Sequence, residues 1–169
     1  MNRSRIRILI YYGLAIALGF GVNFLYKLSP NLLFAVLSPV RESVWEHTKL
    51  VLWPLLAVGL LYTRREREKR GSWYLAILTA AALILLFGWT VNIRMGLLIP
   101  WVNITAFVVI TTLAFAEALW IDVPVRLRGV LLMGVGVLIA AVVIFTFWVP
   151  AGVLFKDLSL ADALYSLPC

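Results

Sequence analysis

Apolar runs of about twenty residues recur along nearly the whole chain, and they constrain the fold more than any other feature. The runs cover Ile6 to about Leu28, Pro39 to about Thr63, Ser72 to about Ile93, Leu97 to about Trp120 and Arg128 to about Val149. A helix in a soluble protein hides one apolar stripe, whereas a run that is apolar all round needs a buried core or lipid. About twenty such residues match the ~30 Å hydrocarbon layer of a bilayer. Lipid offers no partner for a backbone N–H or C=O, so the spans must be helices. The sequence therefore predicts an all-α integral membrane bundle of about five transmembrane helices, a single transmembrane domain over residues 1–169. With 63% hydrophobic and 14% charged residues and a mean hydropathy of +1.00, nothing is left for a second, soluble domain.

The charges give an expected orientation. The net charge of +7 sits in short clusters at the ends of apolar runs, which argues against nucleic acid and for a positive-inside topology. Arg3, Arg5 and Arg7, the loop Arg64–Arg70, and Arg126 with Arg128 agree on a cytoplasmic N-terminus and an external C-terminus. No small-residue cleavage pattern precedes Tyr26 and Lys27, so the first run reads as a retained span rather than a signal peptide. Trp73, Trp89, Trp101, Trp120 and Trp148 fall near span ends, as aromatic belts do. Ala15 with Gly19 and Ala17 with Gly21 have the small-xxx-small spacing of close helix contacts. Between spans one and two, Pro30 and Pro39 bracket a stretch too short to cross and too apolar for a free loop. It reads as an interfacial or re-entrant segment. Pro54 predicts a kink in span two. Leu158, Ala161, Leu164 and Tyr165 recur at helical spacing, so the tail reads as a short amphipathic helix on the membrane. The single Cys169 excludes an intramolecular disulfide.

The densest polar group is Arg41–Lys49, at the predicted outer end of span two. Glu42, Glu46 and Lys49 stand at i, i+4 and i+7, on one face of a continuous helix, with His47 about 100° further round. Ionisable groups inside a span usually face the bundle interior or a cavity. Partners at the same level are Asn23 and Lys27, Asn92 and Arg94, Asn103, and Asp157. The expected ligand-binding set is Glu42, Glu46, His47, Lys49, Asn92, Arg94, Asn103 and Asp157, around an outward-facing pocket for a small polar solute or lipid headgroup. The same residues equally read as a satisfied network fixing helix two against its neighbours. One histidine and no thiolate pair argue against zinc, and Arg41 and Lys49 argue against calcium, so no metal and no cofactor is expected. A membrane enzyme using Glu46 or His47 as general base on a lipid-linked substrate is an alternative; an accessory subunit docking a membrane partner, or a homo-oligomer, is another. Glu117 reads as an interfacial anchor or a partner of Arg126 or Arg128. No nucleotide-binding or hydrolase motif is present.

The stretch Ser38–Leu50, SPVRESVWEHTKL, resembles an uncharacterised family of small bacterial multi-pass membrane proteins that share a Pro-Val-x-Glu-Ser-Val-Trp-Glu-His core. Phe147–Asp157, FWVPAGVLFKD, is similar to a second stretch of that family. Arg41 stands where the family pattern has asparagine, and Leu158 where it has proline. The resemblance implies a bacterial inner membrane location and membrane lipids as neighbours. It groups Glu42, Glu46, His47 and Asp157 among the matched polar positions, and it carries no activity.

Overall fold

The computed structural model describes residues 3–158, and the described residues form an all-helical bundle. Six α-helices follow in order: α1 (Arg3–Leu28), α2 (Leu32–Leu37), α3 (Thr48–Thr63), α4 (Arg70–Phe87), α5 (Pro100–Trp120) and α6 (Val125–Phe147). A π-helical segment, Gly88–Arg94, prolongs α4, and 3-10 turns lie at Arg67–Lys69 and Val153–Phe155.

Among the described residues, four helical stretches are long and apolar enough to cross a membrane: Ile6–Leu28, Arg67–Arg94, Pro100–Trp120 and Val125–Phe147. The shortest of them has 21 residues and extends about 31 Å at ~1.5 Å per residue. The remaining long element, α3, has 16 residues and extends only about 24 Å.

The predicted second span differs from α3 at its start. Helix was expected from Pro39, but α3 begins at Thr48. Local side chains capture the backbone before the helix can: Glu46 Oε2 accepts Val40 N–H at 2.9 Å, and Ser43 Oγ accepts Glu46 N–H at 3.3 Å. Pro39 has no N–H to give. Glu42 and Glu46 therefore do not share one helical face. The expected short segment between the first two long helices is present as α2. Asn31 caps it by accepting Phe34 N–H at 2.9 Å, and Trp53 Nε1 donates to Val36 O at 3.1 Å, tying it to α3.

Helix α4 is the centre of the bundle and packs against α3, α5 and α6, while α1 lies on α3 and α5. Trp73 is buried between Tyr62 and Phe115, at ring centroid distances of 5.7 and 5.1 Å. Such aromatic pairs each add about 0.5–1.5 kcal/mol beyond burial. Gly19 is the close-contact glycine that the spacing predicts on α1. A Cβ there would stand 2.2 Å from Phe107 Cζ, whereas one at Gly21 would meet nothing. Pro100 occupies the first turn of α5, where its missing N–H costs nothing.

The short loops alternate the helix directions and divide the polar groups between two ends. At the basic end Arg7 pairs with Glu66 at 2.9 Å, Lys69 with Asp122 at 2.6 Å, and Arg128 donates to Glu68 O at 2.7 Å. Glu117 accepts from Thr79 Oγ1 at 3.1 Å, and among the described residues it forms no ion pair with Arg126 or Arg128. Thr79 lies one helix away on α4, within reach of a side chain that points into the α4–α5 contact. Ala161, Leu164 and Tyr165 of the expected tail helix lie outside the described residues.

Candidate functional site

The end opposite the basic clusters carries a cavity of about 380 Å³. The C-terminal part of α1 contributes Phe20 and Asn23, and the approach to α3 contributes Glu42 and His47. The π segment brings Asn92, and the start of α5 brings Asn103 and Phe107. Leu158 closes part of the wall from the C-terminal segment.

Each polar wall residue has a local reason for its position. Asn92 faces inward because the chain widens from α to π geometry after Phe87. Met95 N–H reaches Thr90 O at 3.1 Å, and Thr90 Oγ1 donates back to Leu86 O, in competition with the regular ladder. Such π turns are frequent at functional sites. Gly88 opens the segment and leaves room for Val44, whose Cγ1 would lie 2.6 Å from a Cβ at that position. The loop before α3 can thus pack directly on α4.

Glu42 accepts from Lys27 Nζ at 3.0 Å and lies 3.8 Å from His47 Nε2. The His47 imidazole, followed by the Lys27 ammonium, holds the Glu42 carboxyl down to about 2, against a partial burial that raises it. Glu42 is therefore an anion at any neutral pH.

Two wall amide oxygens lack a donor among the described residues. Asn92 is only 4% exposed, and among the described residues neither its Oδ1 nor that of Asn103 meets a hydrogen-bond donor. A buried polar atom left unpaired costs about 1–3 kcal/mol. The remaining wall is apolar, with Leu50, Ile84, Phe87 and Ile104 beside the two phenylalanines.

Of the eight residues expected to bind a ligand, Glu42, His47, Asn92 and Asn103 line this cavity. Glu46 and Lys49 turn away from it into the protein. Lys49 is fully buried, and its Nζ donates to Glu46 Oε2 at 2.6 Å, Ala35 O at 2.7 Å and Ser38 O at 3.2 Å. This pair staples α2 to the start of α3. Arg94 is exposed and lies over the Trp89 ring, 4.9 Å from its centroid. Asp157 is half-buried next to the wall residue Leu158. Phe20, Phe87 and Phe107 are wall residues that sequence reasoning did not single out. No three His, Cys, Asp or Glu residues gather as a metal site among the described residues.

The two stretches that carry the family resemblance dock on each other here, about a hundred residues apart in sequence. Trp45 N–H donates to Leu154 O, and Leu158 N–H to Glu42 O, both at 3.0 Å. The Trp45 ring packs against Phe145 and Phe155 at 5.4 and 5.3 Å.

Fold and site together define a helical bundle with several membrane-spanning-length helices and an amphiphilic cavity at one end. The chain belongs to the family of unknown function DUF6512, whose sequence profile matches residues 2–162. No curated protein and no solved structure matches it.

Proposed function

We propose that this chain is a multi-pass protein of the bacterial inner membrane, and that it binds a small polar molecule or lipid headgroup in the cavity at its external end. The basic clusters at the opposite end support the orientation, because cytoplasmic loops carry the excess of lysine and arginine. The mixed wall supports the ligand class: polar groups converge on one side, and an apolar surface lies open on the other.

One observation carries the reading. Asn92 is buried with an unpartnered amide oxygen on the wall of a cavity large enough for a ligand, beside Asn103, Glu42 and His47. Buried amides in native proteins are mostly paired, and a ligand in the cavity would supply the donor that Asn92 needs.

Native mass spectrometry of the detergent-purified protein tests this. The wild type is expected to retain a defined small mass, and Leu98→Trp, which fills the cavity from its apolar wall, is expected to lose it. A wild type that flies bare, or an adduct retained equally by both proteins, would refute the proposal.

A further inference from the structure

The polar wall also restricts the chemistry of the ligand's head. Its side chains are Asn23, Glu42, His47, Asn92 and Asn103. Among the described residues no arginine or lysine is part of the wall, so a phosphate would meet the Glu42 carboxylate without the forked donors that usually hold it. A cationic head meets the opposite obstacle. Glu42 already has Lys27 at 3.0 Å and His47 at 3.8 Å, and an ammonium would have to displace one of them.

A hydroxyl group fits what remains. It both donates and accepts, so it satisfies an asparagine amide in either orientation of its oxygen and nitrogen. Asn92 and Asn103 each present a buried amide oxygen that needs a donor. The apolar wall of Phe20, Leu50, Ile84, Phe87, Ile104 and Phe107 continues from these amides and suits methylene groups. At about 380 Å³ the cavity is near the lower end of the roughly 300–1,000 Å³ of ligand pockets. That volume holds a head and the adjoining part of one chain.

We propose that the cavity takes a single-chain amphiphile with an uncharged, hydroxyl-bearing head, a class that includes monoacylglycerols and alkyl glycosides. This rests on the reading of the cavity as a binding site. Three probes with the same hydrocarbon chain length separate the head classes: monooleoylglycerol, oleoyl lysophosphatidate and oleylamine. They are offered in equal amounts to the whole protein in a zwitterionic detergent that has no sugar head, and the adducts are read by native mass spectrometry.

The monooleoylglycerol adduct is expected to dominate, to disappear in Leu98→Trp, and to weaken about tenfold in Asn92→Leu and in Asn103→Leu, the loss of one buried hydrogen bond. Asn103 is less buried than Asn92, so its variant keeps the test open should Asn92→Leu misfold. A dominant lysophosphatidate or oleylamine adduct that Leu98→Trp removes would overturn the head class and leave the cavity reading standing. Equal binding of all three, indifferent to both asparagine variants, would also overturn the head class. If no probe gives an adduct sensitive to Leu98→Trp, both readings fall.

Discussion

Lys49→Met tests whether the Glu46–Lys49 pair is structural. Methionine keeps an unbranched side chain of similar reach and removes the charge. Lys49 is fully buried and gives three hydrogen bonds, of 2.6, 2.7 and 3.2 Å, to Glu46 Oε2, Ala35 O and Ser38 O. The substitution leaves the Glu46 carboxylate buried, with Val40 N–H still donating to it, and takes a donor from two backbone carbonyls. Breaking one side of a buried ion pair costs about 3–5 kcal/mol, because the surviving charge loses its compensation. Replacing both sides with apolar groups is much less damaging, so Glu46→Leu combined with Lys49→Met is expected to lose at least about 2 kcal/mol less than the sum of the single variants. The assay is a denaturant titration in mixed micelles followed by tryptophan fluorescence, with ligand retention measured on the same samples. A Lys49→Met protein within about 1 kcal/mol of wild type, or additive single effects, would refute the staple. Loss of ligand in Glu46→Gln at unchanged stability would instead return Glu46 to the binding set.

Two further predictions concern packing and orientation. Gly19→Ala places a Cβ 2.2 Å from Phe107 Cζ and is expected to destabilise by about 1–3 kcal/mol through overpacking; Gly13→Ala on the same helix meets nothing within 4 Å and is expected to be neutral or to stabilise by up to about 1 kcal/mol. The same titration compares them, and equal effects would show that α1 does not seat against α5 as described. Single cysteines at Arg94 and Arg67, in a Cys169→Ser background, are expected to react with a membrane-impermeant thiol reagent from opposite sides, Arg94 from outside intact cells and Arg67 only after permeabilisation. The reverse pattern would invert the orientation.

The long helices were legible because lipid leaves the backbone one solution: apolar runs that match the bilayer thickness must be helical. Gly19 at a close contact followed from small-residue spacing, which acts locally. The start of α3 did not follow from hydropathy, since the apolar content of residues 39–47 gives no sign that Glu46 and Ser43 bind backbone groups. A signal was nonetheless present. Ser43-Val44-Trp45-Glu46 has the S-x-x-E spacing of a capping box, and Ser43 does accept the Glu46 N–H as such a cap would. The π segment had no comparable signature; it is a register change that side-chain pattern does not encode. Nor could periodicity separate Phe20 and Phe107, which line the cavity, from the many phenylalanines and leucines that face outward.

The polar cluster of the second stretch separates into two roles that its helical spacing had merged. Glu46 and Lys49 face inward, hold α2 to α3 and fix the path of the intervening loop. With that path fixed, Glu42 and His47 reach the cavity, and Val44 and Trp45 are placed against α4 and the C-terminal segment. Within Ser38–Leu50, Ser43, Glu46 and Lys49 therefore build the wall, and Glu42 and His47 line it. Asn92 and Asn103 come from other helices, and their buried amide oxygens find no donor among the described residues. The two amide oxygens stand on the wall of one cavity, beside Glu42 and His47, and a ligand there would meet both.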